Sequence, residues 1–126
     1  FAGAVWIAGR RLQAARQIMH LIEQTIDLSK LHLHHVLLLS VLAAVPEEML
    51  FRGAVQTSLG LLAAALIFGA LHAVTRLYFV YATVAGLLLG LLYLLGGSLW
   101  LPIGAHFAVD TVMFLLMLQR QRRSPT

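Results

Sequence analysis

LHLHHVLLLSVLAAVPEEMLFRGAVQ, residues 31–56, runs a long apolar stretch directly into Glu47, Glu48 and Arg52. Two later stretches repeat the pattern: His72 closes LIFGALH, and His106 and Asp110 lie in WLPIGAHFAVD. Three of the five acidic residues, one arginine and two histidines thus sit inside otherwise lipid-soluble sequence. Placing Asp, Lys or Arg at the centre of a membrane helix costs roughly 2.5–3.5 kcal/mol on insertion scales. Groups kept at that cost are candidates for function, and here they fall in three short clusters on three helices.

Composition sets the class. Of 126 residues, 60% are hydrophobic and 11% charged, against about 25% charged in a soluble domain. The chain therefore reads as an integral, multi-pass membrane protein. With no cysteine, disulfides, thiolate metal sites and a cysteine nucleophile are all excluded. The formal charge of +4 points away from nucleic acid, because most of the arginines flank apolar runs, as membrane topology signals do.

Working outward from residues 31–56, the first span begins near Leu31 and continues to about Gln56, with Pro46 either kinking it or starting a new helix. QTSLG is a turn. LLAAALIFGALHA is a second span ending near Arg76, and LYFVYATVAGLLLGLLYLLGG a third. After GGS, SLWLPIGAHFAVDTVMFLLML is a fourth. No period-2 alternation is sustained, so no strand is expected and the fold class is an all-α polytopic transmembrane helix bundle. Gly86 and Gly90 form a small-xxx-small pattern that lets helices approach closely. Upstream, FAGAVWIAG reads as the last turns of a preceding membrane helix. Residues 10–30 fit an amphipathic interfacial helix, with a soluble connecting helix as the competing reading. The expected organisation is thus 1–30 for these two pieces, 31–118 for a core of about four crossings, and 119–126 for a basic tail. Four crossings place Arg10, Arg11 and Arg16, then Arg76, then Arg120, Arg122 and Arg123 on one side, so the C-terminus is expected to be cytoplasmic.

Depth ties the clusters together. At 1.5 Å per residue from the outer turns, Glu47 lies roughly 16 Å in, His72 roughly 20 Å and His106 roughly 12 Å. Separate helices can bring all three to one level of a bilayer core about 30 Å thick.

Glu48 and Arg52 are four apart and share a helical face, so they can pair. Glu47 is turned about 100° from Glu48 and is free to face a cavity. The competing reading has both glutamates neutralising Arg52 to hold helices together. Phe68 and His72 share a face, as do His106 and Asp110; either histidine could instead be a hydrogen-bonded packing residue. Taken together, the groups support a mechanism. Glu47 and His72 hold and deprotonate a water for attack on an amide carbonyl, while His106, with Asp110 on its face, donates to the developing oxyanion. Alternatively Glu47, His72 and His106 form a two-His, one-carboxylate set for a divalent metal such as zinc. The HExxH signature of common zinc proteases is absent.

EExxxR (Glu47, Glu48, Arg52), FxxxH (Phe68, His72) and HxxxD (His106, Asp110), in this order across residues 36–118, resemble the motifs of the CAAX protease and bacteriocin-processing family of intramembrane proteases, also called the Abi family. The resemblance implies a helical membrane core with a buried site, peptide-bond hydrolysis, and membrane-associated peptides or prenylated proteins as substrates within the lipid. It assigns water activation to Glu47 and His72, and the oxyanion side to His106 and Asp110. Glu48 and Arg52 complete the first motif. The family is often called metalloprotease; the reading favoured here is metal-independent.

Two other classes compete. A catalytically silent member could act as a scaffold in a membrane protein complex. A proton or ion carrier would need a continuous polar path, and the third span contains no acidic residue or histidine. His32, His34 and His35 read as interfacial side chains rather than ligands, and Trp6, Trp100, Tyr78 and Tyr81 as interface anchors.

Overall fold

The computed structural model describes residues 27–123, and before them the isolated positions Gln13, Arg16, Gln17, His20 and Gln24, which are helical and exposed. The expected FAGAVWIAG stub with Trp6, most of the amphipathic stretch, and residues 124–126 lie outside the described residues.

After a 3₁₀ turn at Leu28–Lys30 come α1 (Leu33–Leu50), a π-helical turn (Phe51–Val55), α2 (Gln56–Leu59), α3 (Leu61–Leu71), α4 (Arg76–Gly96) and α5 (Trp100–Arg123). No strand occurs among the described residues, as the absence of alternation predicts. Pro46 lies inside α1, so no new helix starts there; the departure from α-geometry comes five residues later, at the π turn. Gly60 (φ 90°) and Gly97 (φ 63°) take the positive-φ positions of the two tight turns, which a Cβ disfavours. Thr75 caps α4, its hydroxyl accepting from the Tyr78 N–H at 3.1 Å. Two lengths differ from expectation. The second apolar segment forms a helix of only 11 residues, about 16 Å long, too short to cross a 30 Å core on its own. α5 continues through Arg123, carrying Arg120, Arg122 and Arg123 in its last turn.

α4 and α5 are long and apolar enough to cross a membrane, with mean hydropathies of 2.0 and 1.8. Only 22% of each apolar window is buried, unlike the mostly buried core helix of a soluble protein. Leu88, Leu94 and Leu95 on α4, and Val109, Val112 and Leu116 on α5, face outward.

Two interfaces organise the packing. α3 and α4 are antiparallel and close. A Cβ on Gly86 would lie 3.2 Å from the Cα of Ala65, and one on Gly69 would meet the Thr83 side chain. The small-xxx-small expectation thus finds its partner in α3. α1 and α5 are also antiparallel: Glu48 meets His106, and twelve residues earlier Val36 packs with Met117 and Leu118. Near Glu48 all four long segments are present; near Val36 the described partners come from α5 and from Leu31 just before α1.

Candidate active site

The floor of the site is an ion pair buried among the helices. Arg52 Nε lies 3.1 Å from Glu48 Oε2, with side chains 1% and 0% exposed. The two atoms are close but not aligned for a hydrogen bond. The guanidinium also donates through Nη2 to the Gly86 carbonyl, and its Cζ sits 5.5 Å from the Phe68 ring centroid, within cation–π range. One step further, Gln56 Nε2 donates to the Gly90 carbonyl at 3.1 Å. Arg52 and Gln56 therefore grip two carbonyls one turn apart on α4. In a regular helix, residues four apart drift by about 40°; the wider π turn between them keeps both side chains on the α4 side. The glycines permit this reach, since a Cβ at position 90 would press on the Gln56 side chain.

Above that floor, His106 Nδ1 lies 2.7 Å from Glu48 Oε1. The expected Glu48–Arg52 pair is present, and Glu48 in addition holds a histidine of the third cluster. A carboxylate ionised beside Arg52 only accepts, so His106 Nδ1 carries the proton. Its Nε2 then faces Asp110 Oδ2 at 3.5 Å and Glu47 Oε2 at 3.7 Å. His72 is fixed in the same manner: Nδ1 lies 2.7 Å from the Phe68 carbonyl, which can only accept. With that tautomer the lone pair of a neutral ring sits on Nε2, 3.8 Å from Glu47 Oε2. His72 follows the last turn of α3 at φ −102°, ψ 11°, the sparsely populated bridge region where active-site residues recur. Phe68 wedges the group, with ring centroids 4.9 Å from Phe51, 4.3 Å from His72 and 6.1 Å from His106.

All the residues singled out in the sequence therefore converge. Glu47 Oε2 is buried without a hydrogen-bond partner among the described residues, and it points between two imidazole Nε2 atoms. Glu47, His72 and Asp110 keep 33%, 29% and 26% of their side chains exposed, so the site opens outward while its floor is closed. Two features escaped the sequence reading. One is the Glu48–His106 contact, between positions 58 residues apart. The other is Tyr78, read as an interface anchor, whose ring lies 6.4 Å from that of His72.

A metal was the alternative use of Glu47, His72 and His106. Their donor chemistry suits zinc, whose bonds to nitrogen and oxygen are about 2.0–2.2 Å long. As placed, however, no group of three His, Asp or Glu among the described residues is arranged to hold a metal ion. His32, His34 and His35 stack on one another, the nearest pair 4.0 Å apart, and the His32 N–H donates to His35 Nδ1 at the start of α1. That capping role accounts for His32 and His35 without a ligand.

A family model described as type II CAAX prenyl endopeptidase Rce1-like matches residues 29–112, two-thirds of the chain and every residue of the site. The chain belongs to the Rce1-like family. The family is one of CAAX prenyl endopeptidases, proteases of prenylated substrates in membranes. "Uncharacterized protein YpbD" of Bacillus subtilis (strain 168) is 46% identical over 87 residues, covering 67% of this chain and 46% of that relative. The match therefore spans about half the relative's length. No solved structure gives a significant match.

Proposed function

We propose that the chain is a multi-pass intramembrane endopeptidase, with a cytoplasmic C-terminus, that hydrolyses a peptide bond of a membrane-held prenylated CAAX peptide. The observation that carries this reading is the position of Glu47 Oε2, 3.7 and 3.8 Å from two imidazole nitrogens whose opposite nitrogens are tied down. Those gaps are too long for direct hydrogen bonds and fit a bridging water.

In the proposed step, the water loses a proton to Glu47, oriented by His72 Nε2, and its oxygen adds to the substrate carbonyl. The proton then passes to the departing amine as the C–N bond breaks, leaving a carboxylic acid and an amine. His106, held by Glu48 and flanked by Asp110, faces the oxyanion side; it can donate from Nε2 as an imidazolium, since both ring nitrogens are then donors. Positioned base chemistry contributes about 10²–10⁴ in rate, and one oxyanion donor about 10²–10³. The metal alternative is not used for any step.

Depth supports the membrane placement. Register through the Arg52–Gly86 contact puts Leu95 roughly 14 Å above Arg52, and Leu37 roughly 22 Å below it. This band of exposed apolar residues, roughly 36 Å in all, brackets a hydrocarbon core of about 30 Å and leaves Glu47 near its middle. Lys30 and Arg120–Arg123 fall at one end, which the positive-inside rule makes cytoplasmic. Arg76 lies roughly 8 Å above the Leu37 level, within reach of the same surface.

The test is cleavage of a farnesylated CAAX peptide by the purified chain in lipid nanodiscs, in ¹⁸O water. The expected product carries ¹⁸O in its new carboxylate, and a metal chelator leaves the rate unchanged. No cleavage removes the hydrolytic reading in favour of a silent membrane scaffold; cleavage abolished by chelator and restored by zinc replaces water activation by Glu47 and His72 with a metal site.

A further inference from the structure

We infer that the Tyr78 hydroxyl is a second oxyanion donor in this site, touching the substrate carbonyl oxygen from α4. The inference rests on the hydrolytic reading above.

The need for it comes from the donor inventory. Asp110, as a carboxylate, only accepts. His106 spends its Nδ1 proton on Glu48 at 2.7 Å, so it offers the oxyanion one proton at Nε2, and that only as an imidazolium. Three carboxylates surround the two imidazoles, and the one guanidinium is turned to Glu48, Phe68 and the Gly86 carbonyl. The described polar groups facing the reacting atoms are therefore rich in acceptors and poor in donors. A tetrahedral intermediate carries a full negative charge on oxygen and needs the reverse.

Tyr78 carries a neutral donor on a ring beside His72. It stands in the first turn of α4, where its own N–H is fixed by the Thr75 hydroxyl at 3.1 Å. Its ring is 6.4 Å from that of His72. The short turn between α3 and α4 brings this about, placing residues 72 and 78 at neighbouring levels. Tyr81 behaves differently. It stacks on Tyr78 with centroids 5.7 Å apart, yet it is 47% exposed, as an interface anchor should be. The two tyrosines, alike in sequence context, thus divide: one faces outward and the other lies against the catalytic histidine. A phenol keeps its proton while donating a hydrogen bond, so the step needs no further reactant.

The experiment compares the full chain with Tyr78→Phe, Tyr81→Phe and Glu47→Gln on the farnesylated CAAX peptide, with thermal melting of each variant. Tyr78→Phe is expected to lower kcat about 10²-fold, the effect of losing one oxyanion donor, with KM and melting unchanged. Tyr81→Phe is expected to match the parent chain. Tyr78→4-aminophenylalanine, which retains a donor, is expected to recover most of the lost rate. A Tyr78→Phe enzyme as fast as the parent, while Glu47→Gln is inactive, overturns the tyrosine assignment alone. Equal losses in Tyr78→Phe and Tyr81→Phe, or no recovery by the amino analogue, assign the effect to packing and overturn it too. A parent chain that cleaves nothing removes the hydrolytic reading and this donor with it.

Discussion

α1 and α5 meet twice, and the two meetings have opposite chemistry. At Glu48 and His106 they share a buried hydrogen bond between ionisable groups. At Val36, Met117 and Leu118, roughly 18 Å away along the helices, they share an apolar core. The difference lies in what surrounds them. Beside Glu48, α3 and α4 contribute the carbonyls of Phe68 and Gly86 as acceptors and the Phe68 ring as a wall. Beside Val36 the described partners are the apolar side chains of Leu31, Phe114, Met117 and Leu118, and the buried hydroxyl of Ser40 satisfies itself on the Val36 carbonyl at 2.8 Å. The charged cluster thus draws partners from α3 and α4 as well as from α1 and α5, and the short α3 serves the site through Phe68 and His72.

This contrast can be broken by substitution. Arg52→Leu leaves Glu48 buried without its cation, and the expected loss is about 3–5 kcal/mol, read as a lower unfolding midpoint in detergent. A midpoint like the parent's would mean that the Glu48–Arg52 pair does not hold the four-helix region. Gly86→Leu forces α3 away from α4 and is expected to cost about 1–3 kcal/mol and to lower activity by displacing Arg52. Gly104→Ala, where an added Cβ meets nothing within 4 Å, is its control and should melt like the parent. In the apolar region around Val36, Val36→Ala is expected to cost about 1 kcal/mol with the cleavage rate retained. A large rate loss there would show that the two regions are coupled. Smallest of all, Lys30→Ala removes an exposed 3.6 Å contact with Asp27 and should leave the melting curve unchanged.

The legible and illegible parts of the molecule follow the same division. The three clusters, the i,i+4 pairs within them and the absence of strands among the described residues follow from residues near each other in the chain, where helical period governs. Glu48 reaching His106, and Tyr78 reaching His72, depend on how separate helices dock, and no periodicity encodes that. The π turn was equally hidden. FRGAV has no breaker at its start, and the widening becomes intelligible only once Arg52 and Gln56 are seen gripping Gly86 and Gly90. The length of α3 was overestimated because LLAAALIFGALHA is apolar to its end, yet the helix stops at Leu71 and His72 leaves helical geometry.

The central claim is that Glu47 activates the attacking water. Its most direct test is the rate of farnesylated CAAX peptide cleavage by Glu47→Gln beside the parent chain, with melting of both. Gln keeps the shape of Glu47 and removes the base, so the account predicts an unchanged melting curve and a rate about 10²–10⁴-fold lower. A folded Glu47→Gln chain that cleaves as fast as the parent would contradict it.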